Sequence, residues 1–173
     1  MALNRPPGIP AAGKLSVIFI PASGVVDPAA IKVSEATASS AINASCHLLG
    51  DGWGRSTEQE STDRRRACDA YTYAVYGAKK VNFERAKFVS DPQNPASETA
   101  KVYAGLVEGE LYWAVERIGI SGRDEPAASQ YYNAYLVRCD DKDQTVPGDE
   151  GELEFTAQFS SQGTPVKDKQ FAA

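Results

Sequence analysis

The most informative part of the sequence is residues 88–119, FVSDPQNPASETAKVYAGLVEGELYWAVERIG. It begins with an extended segment at Phe88–Asp91, turns through Pro and Asn residues, and then predicts a single amphipathic helix. Asn94 can cap this helix, Pro95 suits its first position, and Gly109 is the predicted stop. An apolar stripe with helical spacing is formed by Ala100, Tyr103, Ala104 and Val107.

Strands with alternating apolar and polar residues are predicted on both sides of the helix. After it they are Glu110–Ile118, Gln130–Asp140 and Glu152–Ser160; before it they are Leu15–Ile20, Ile42–Leu49, Cys68–Tyr76 and Lys79–Val89. Leu15–Ile20 is apolar on both faces after Ser16, which indicates a buried strand. Gly77-Ala78 is the predicted turn of a hairpin. The fold class is therefore mainly β, as a β-sandwich or partly closed barrel with one α-helix packed on it.

The domain organisation follows from where apolar residues are sparse. Residues 1–13 contain three prolines and two glycines and predict an extended N-terminal arm. Residues 14–173 are enough for a single domain. Within it, long loops are expected at about 22–41 and 50–66, either binding a partner or locally disordered.

Composition limits the classes of function. The net charge of −5 opposes tight binding to nucleic acid or to anionic membranes. Three scattered cysteines argue against a disulfide framework and suit a reducing compartment. We find no targeting segment and no apolar run of membrane-spanning length, so the expected compartment is the cytoplasm.

Few side chains are suited to catalysis. The one histidine, His47, lies on the polar face of its predicted strand, with no nucleophile or carboxylate placed beside it by the pattern. Acidic runs at 140–143 and 149–150 lack the spacing of a calcium loop and are interpreted as solvated turns. The glycines at 50–54 lack the lysine and the strand–loop–helix context of a phosphate site. We therefore expect no enzyme, no cofactor and no metal.

An ordered set of segments resembles the major tail tube protein of long-tailed, siphovirus-type phages that infect actinobacteria. The matching segments are 41–46, Trp53 with Thr62–Arg65 and Cys68, 88–93, 112–119, 152–159 and 163–168. Together they extend from about Ala41 to Ala172. Each segment alone is weak, and the resemblance depends on their order and spacing.

The resemblance implies a virion structural protein of the tail, assembled in the host cytoplasm. It implies hexameric rings of this chain that stack into a tube through which phage DNA is delivered to the host. The implied partners are further copies, a tape measure protein, a tail terminator and a distal tail protein, with no membrane partner. Unpaired sheet edges would be satisfied by neighbours in such a ring.

Two sets of residues are candidates for sites in such an assembly. Acidic residues precede the basic triplet of the 50–66 segment, which favours ion pairs with a neighbouring subunit over phosphate contacts. The candidate interface set is Trp53, Arg55, Asp63, Arg64, Arg65 and Arg66. A channel for DNA should repel phosphate, and the candidate lumen residues are Asp69, Glu84 and Glu116. These acids are equally compatible with outward-facing charges or with ion pairs to Arg85 and Arg117.

Two other classes of protein remain open. One is a tube protein of a related bacterial secretion or contractile system. The other is a small monomeric β-barrel that binds a ligand in an apolar pocket lined by Trp113 and tyrosines.

Overall fold

The computed structural model describes residues 9–50, 52–68, 70–146 and 151–173, so most of the predicted arm over 1–13 lies outside the described residues. Strands hold 45% of the chain and helices 9%, which confirms the mainly β prediction. The paired strands form one antiparallel sheet that is not closed into a barrel.

The strands are named in chain order. They are β1 Leu15–Pro21, β2 Ile42–Asn43, β3 Arg55–Arg64, β4 Tyr73–Phe83, β5 Ala86–Val89, β6 Leu111–Ile118, β7 Tyr131–Gln144, β8 Glu154–Ser161 and β9 Val166–Gln170. Their order in the sheet is β2-β1-β6-β7-β8-β4-β3, with β5 added to β8 and β9 added to β7. The short helices are α1 Val33–Ala36 and α2 Lys101–Gly105.

Apolar side chains cover both faces of the central strands. In β1, Val17 and Phe19 enter the larger cluster while Ile18 and Ile20 enter a smaller one, since successive side chains of a strand point to opposite faces. The prediction that Leu15–Ile20 is a strand buried on both faces is confirmed. The larger cluster contains an aromatic group formed by Phe19, Trp53, Phe83, Phe88, Phe155 and Phe159.

The predicted helix exists but is shorter than the sequence indicates. A 3₁₀ turn at Glu98–Ala100 leads into α2, and Ser97 rather than Asn94 provides the cap, accepting from the Ala100 N–H. The helix ends early because Tyr112 donates its hydroxyl to the Gly105 carbonyl. Lys142 Nζ donates to the carbonyl oxygen of Leu106, the residue after the helix, at 2.6 Å. Gly109 instead makes the turn into β6 at a φ of 83°.

The predicted strand over Ile42–Leu49 is wrong beyond its first two residues. β2 ends at Asn43, whose side-chain oxygen accepts from the Ser45 N–H and from the Ser45 hydroxyl. Such a local Asx turn competes with a continued ladder. The alternation in this segment therefore reflects a turn packed on the body, with Leu48 bridging to Phe88.

The predicted loop at 50–66 is wrong for most of its length, because it contains β3. The predicted turn at Gly77-Ala78 is wrong as well, since both residues lie inside β4. The register passes from Gln59↔Lys79 to Ser61↔Tyr76. Gly77 and Ala78 therefore oppose Glu60 alone and form a β-bulge.

The segment 22–41 is held on the second face of the sheet. Tyr132 is central to this contact: its hydroxyl donates to the Pro28 carbonyl and accepts from the Ile31 N–H at 2.9 Å. Ile31 and Ala36 are buried in the smaller cluster. The hydrogen bonds of Tyr132 and the burial of Ile31 and Ala36 thus hold this segment in place, although it contains few large apolar residues.

Candidate functional site

A long β-hairpin formed by β3 and β4 projects from the body. In the described residues β3 pairs with β4 alone, and β4 joins the rest of the sheet through Asn82↔Ser160. Every described residue from 56 to 80 is exposed. At a rise of about 3.3 Å per residue, β3 is roughly 30 Å long. The hairpin is therefore an arm whose two strands both have a long unpaired outer edge among the described residues.

The outer half of this arm carries apolar side chains exposed to solvent. Tyr71 is 85% exposed and Tyr76 is 69% exposed, and Tyr73 and Val75 are each exposed by 42%. The sequence pattern predicts an alternating strand over Cys68–Tyr76 and does not identify these side chains as an exposed group. A cluster of exposed aromatic residues is instead typical of a surface that binds another protein.

Charged residues are arranged along the same arm. Glu58 stands opposite Lys80, and Arg64 stands opposite Tyr73 at the far end of the ladder. Arg65 and Arg66 follow immediately and are exposed. Tyr and Arg side chains are the most common strong anchors of protein interfaces, so the hairpin tip combines both kinds.

The root of the hairpin is fastened to β6 by a buried carboxylate. Glu116, 1% exposed, accepts from Trp53 Nε1 at 2.7 Å. Arg55 Nε lies 2.9 and 3.0 Å from its two oxygens. The hydrogen bond to Glu116 raises the pKa of Arg55, and its guanidinium lies over the Tyr135 ring, 4.9 Å from the centroid. The arm is therefore positioned by the core.

Tyr135 completes this anchor with its ring but not with its hydroxyl. The hydroxyl oxygen is buried and has no hydrogen-bond partner among the described residues. Burial, with the nearby Glu116 charge, raises the pKa of Tyr135 to about 12. A buried polar group without a partner costs free energy, so this hydroxyl is a weak point of the core.

The structure separates the predicted interface residues into two groups. Trp53 and Arg55 are half-buried at the hairpin root and bind Glu116 within the subunit. Asp63 and Arg64 end β3, Arg65 and Arg66 follow it, and all four are exposed. The second group is the more exposed of the two, and the interface assignment of all six residues stays a prediction.

The predicted lumen residues also separate. Glu116 does not fit a channel wall, because its side chain is enclosed between Trp53 and Arg55. Glu84 is exposed between β4 and β5, and its neighbour Arg85 pairs with Asp141. Asp69 lies outside the described residues.

The exposed tyrosines were missed, although a signal for the hairpin exists. Residues 55–76 contain neither glycine nor proline, which is unusual for a polar loop. Threonines recur within the same stretch, and Thr favours strands. A stretch of this length without turn-forming glycine or proline favours strands over a loop.

Other reactive groups are scattered. His47 Nε2 lies 2.8 Å from the Glu98 carbonyl oxygen and links the turn after β2 to the 3₁₀ turn, rather than lying on a strand. Cys46 is an exposed free thiol, and burial raises the pKa of the Cys139 thiol to about 11. The described residues contain no group of His, Cys, Asp and Glu arranged to hold a metal ion. None of their helices has the length and hydrophobicity to span a bilayer.

Comparison with known proteins identifies the family of this chain. A family model described as phage tail tube protein matches residues 2–173, which is nearly the whole chain. No curated protein matches the sequence. The chain therefore belongs to the phage tail tube protein family and serves as a structural component of the virion tail.

Proposed function

We propose that this chain forms hexameric rings that stack into the tail tube, and that phage DNA passes through the tube to the host. Heterologous contacts between identical subunits close into rings when the rotation between neighbours permits it. Stacking such rings gives a tube.

The main support for this proposal is the projecting hairpin. A two-stranded hairpin is marginally stable in water without packing on a third element. Tyr71, Tyr73, Val75 and Tyr76 are exposed on this hairpin, and its strands β3 and β4 meet the rest of the described sheet only at Asn82↔Ser160. An exposed edge as long as that of β3 also invites pairing with another chain. A neighbouring copy would supply the missing packing.

For the channel, Glu84 is the remaining described candidate. An exposed carboxylate in the wall would repel DNA phosphates, and it would spare the sliding DNA a fixed cationic contact. Replacing Glu84 with lysine should slow ejection more at low salt than at high salt, because screening weakens the added attraction. Ejection unchanged at both salt concentrations would remove Glu84 from the channel.

The proposal also includes the kind of phage, the place of assembly and the partner proteins. We propose a long-tailed phage of actinobacteria, with assembly in the host cytoplasm and without an enzymatic or membrane-bound role. The tape measure protein, the tail terminator and the distal tail protein are the proposed non-identical partners. Copurification of these proteins with tubes from infected cells is the corresponding test.

The assembly proposal is tested by shortening the hairpin. Residues 58–80 are replaced by Asn-Gly, which favours a tight turn and keeps Thr57 opposite Val81. The shortened protein retains Trp53, Arg55 and the core, so it should fold. We expect rings or tubes of the wild-type protein by negative-stain microscopy and a monomer of the shortened protein by light scattering.

Circular dichroism and thermal unfolding serve as controls for folding of the shortened protein. A folded variant that still forms tubes would show that the hairpin is dispensable. A wild-type protein that stays monomeric at every concentration would contradict self-assembly itself.

A further inference from the structure

We propose that the hairpin tip of one copy docks into an apolar, acid-rimmed pocket at the opposite end of the sheet of a second copy. This inference rests on the proposed self-assembly and adds the surface that receives the hairpin.

The sheet topology places these two features at opposite ends. β4 meets β8 at Ser160, near the C-terminal end of β8, and runs antiparallel to it. The hairpin therefore extends beyond that end of the sheet. The pocket lies at the other end, where β8 begins at Glu154. Complementary surfaces at opposite ends of one molecule give head-to-tail association.

The pocket has a mainly apolar lining and a volume of about 370 Å³. Pro92, Val146 and Leu153 supply its apolar side chains, and Val146 and Leu153 are exposed in the isolated chain. Glu154 also lines it, and Glu152 is exposed next to Leu153. The pocket thus offers an apolar floor with carboxylates at its rim.

The hairpin tip has the matching chemistry. Tyr71 supplies an exposed aromatic ring with a polar end, suited to an apolar floor at the protein surface. Arg65 and Arg66 supply cations for the carboxylates at the rim, with the planar geometry that carboxylates bind well. Such charge complementarity fixes the partner and the orientation of docking.

Two other clefts fit the tip less well. A cleft of about 580 Å³ beside the hairpin root is lined by Lys79, Lys80 and Lys167, which would repel the arginines of a second copy. A cleft of about 400 Å³ near β2 includes Glu98 and Glu125, but it is otherwise lined mostly by small or polar side chains. It offers no large apolar surface for a tyrosine.

Disulfide trapping between two variants tests the contact. One full-length variant carries Tyr71→Cys and the other carries Leu153→Cys, both with Cys46→Ser and Cys68→Ser. Each variant is checked for assembly, and the two are then mixed, assembled and oxidised. We expect a covalent heterodimer on a non-reducing gel from the mixture. The matched control pairs Tyr71→Cys with Ala128→Cys, an exposed position at the hairpin end of the sheet, and should give no dimer.

Charge exchange provides a second measurement. Arg65→Glu with Arg66→Glu, or Glu152→Lys with Glu154→Lys, should each raise the protein concentration needed for assembly by about tenfold. Combining all four changes should restore assembly to within about threefold of wild type, because the charges again have opposite signs. Glu110→Lys with Glu125→Lys makes the same change in net charge outside the pocket, so it should not restore assembly of the Arg65→Glu, Arg66→Glu protein.

The outcomes separate this contact from self-assembly in general. Tubes without the 71–153 dimer, or with a 71–128 dimer instead, would overturn the head-to-tail contact while leaving the tube proposal intact. A failure of the charge exchange to restore assembly would also overturn it. Absence of rings and tubes from the wild-type protein would overturn both.

Discussion

Replacing Glu116 with glutamine tests how the core positions the hairpin. The change removes one negative charge and keeps nearly the same shape. It leaves Arg55 as a cation at the hairpin root without its only ion-pair partner among the described residues. We expect the folded protein to lose stability and the hairpin root to loosen before the rest of the sheet.

The magnitude follows from the geometry of this pair. Breaking a buried ion pair by removing one partner costs about 3–5 kcal/mol. The Arg55 side chain is still 25% exposed, and the glutamine oxygen can still accept from Trp53. For both reasons we expect the free energy of unfolding to fall by the lower limit of this range, about 3 kcal/mol. For a protein of this size, this loss lowers the melting temperature by about 6–12 °C.

The assay is urea unfolding of the non-assembling, hairpin-shortened protein, so that association does not contribute to stability. Glu84→Gln makes the same chemical change at an exposed site and should alter the unfolding free energy by less than about 0.5 kcal/mol. If the two variants lost equal stability, or if Glu116→Gln lost less than about 1 kcal/mol, the anchoring role of Glu116 would be refuted.

Three further predictions concern the core and the anchoring contacts. The Tyr135 pKa of about 12 against an ordinary 10 means that the folded state keeps this proton while the unfolded state loses it. Stability should therefore fall as pH rises through this window, by about 2–3 kcal/mol. Tyr135→Phe should remove that part of the fall and leave stability at pH 7 unchanged or higher, since its hydroxyl has no partner among the described residues. An unchanged alkaline slope in urea titrations would contradict the assignment. His47→Ala should cost about 1 kcal/mol by thermal unfolding, because it removes the hydrogen bond to the Glu98 carbonyl; an effect below about 0.3 kcal/mol would show that the tether is unimportant. Cys46 should react with a thiol reagent in the native protein, whereas buried Cys139 should react only on unfolding, and equal rates for the two would contradict their placement.

The central strands were predictable from the sequence because their alternation reflects burial. Leu15–Ile20, Glu110–Ile118 and Glu152–Ser160 correspond to β1, β6 and β8 to within two residues. In these segments each apolar side chain has one face of the sheet to enter, so pattern and structure agree. The sheet itself therefore follows from local periodicity.

The helix and the hairpin were less predictable for physical reasons. The length of α2 depends on two side chains that bind carbonyls at its C-terminal end: Tyr112, from the strand that follows, and Lys142, which is 36 residues away from Leu106 in the sequence. β3 is exposed on both faces in the isolated chain, so it shows no apolar alternation to detect. The anchor of Arg55 on Glu116 joins residues 61 positions apart and has no sequence signature. Tertiary contacts decided these elements.

Cryo-electron microscopy of tubes assembled from the purified wild-type protein would show whether the hairpin joins neighbouring subunits in a six-membered ring. We predict six subunits in each ring, with the density of residues 56–80 packed against a neighbouring subunit. Tubes in which these residues point into solvent, rings of another symmetry, or a protein that forms no assembly would contradict it.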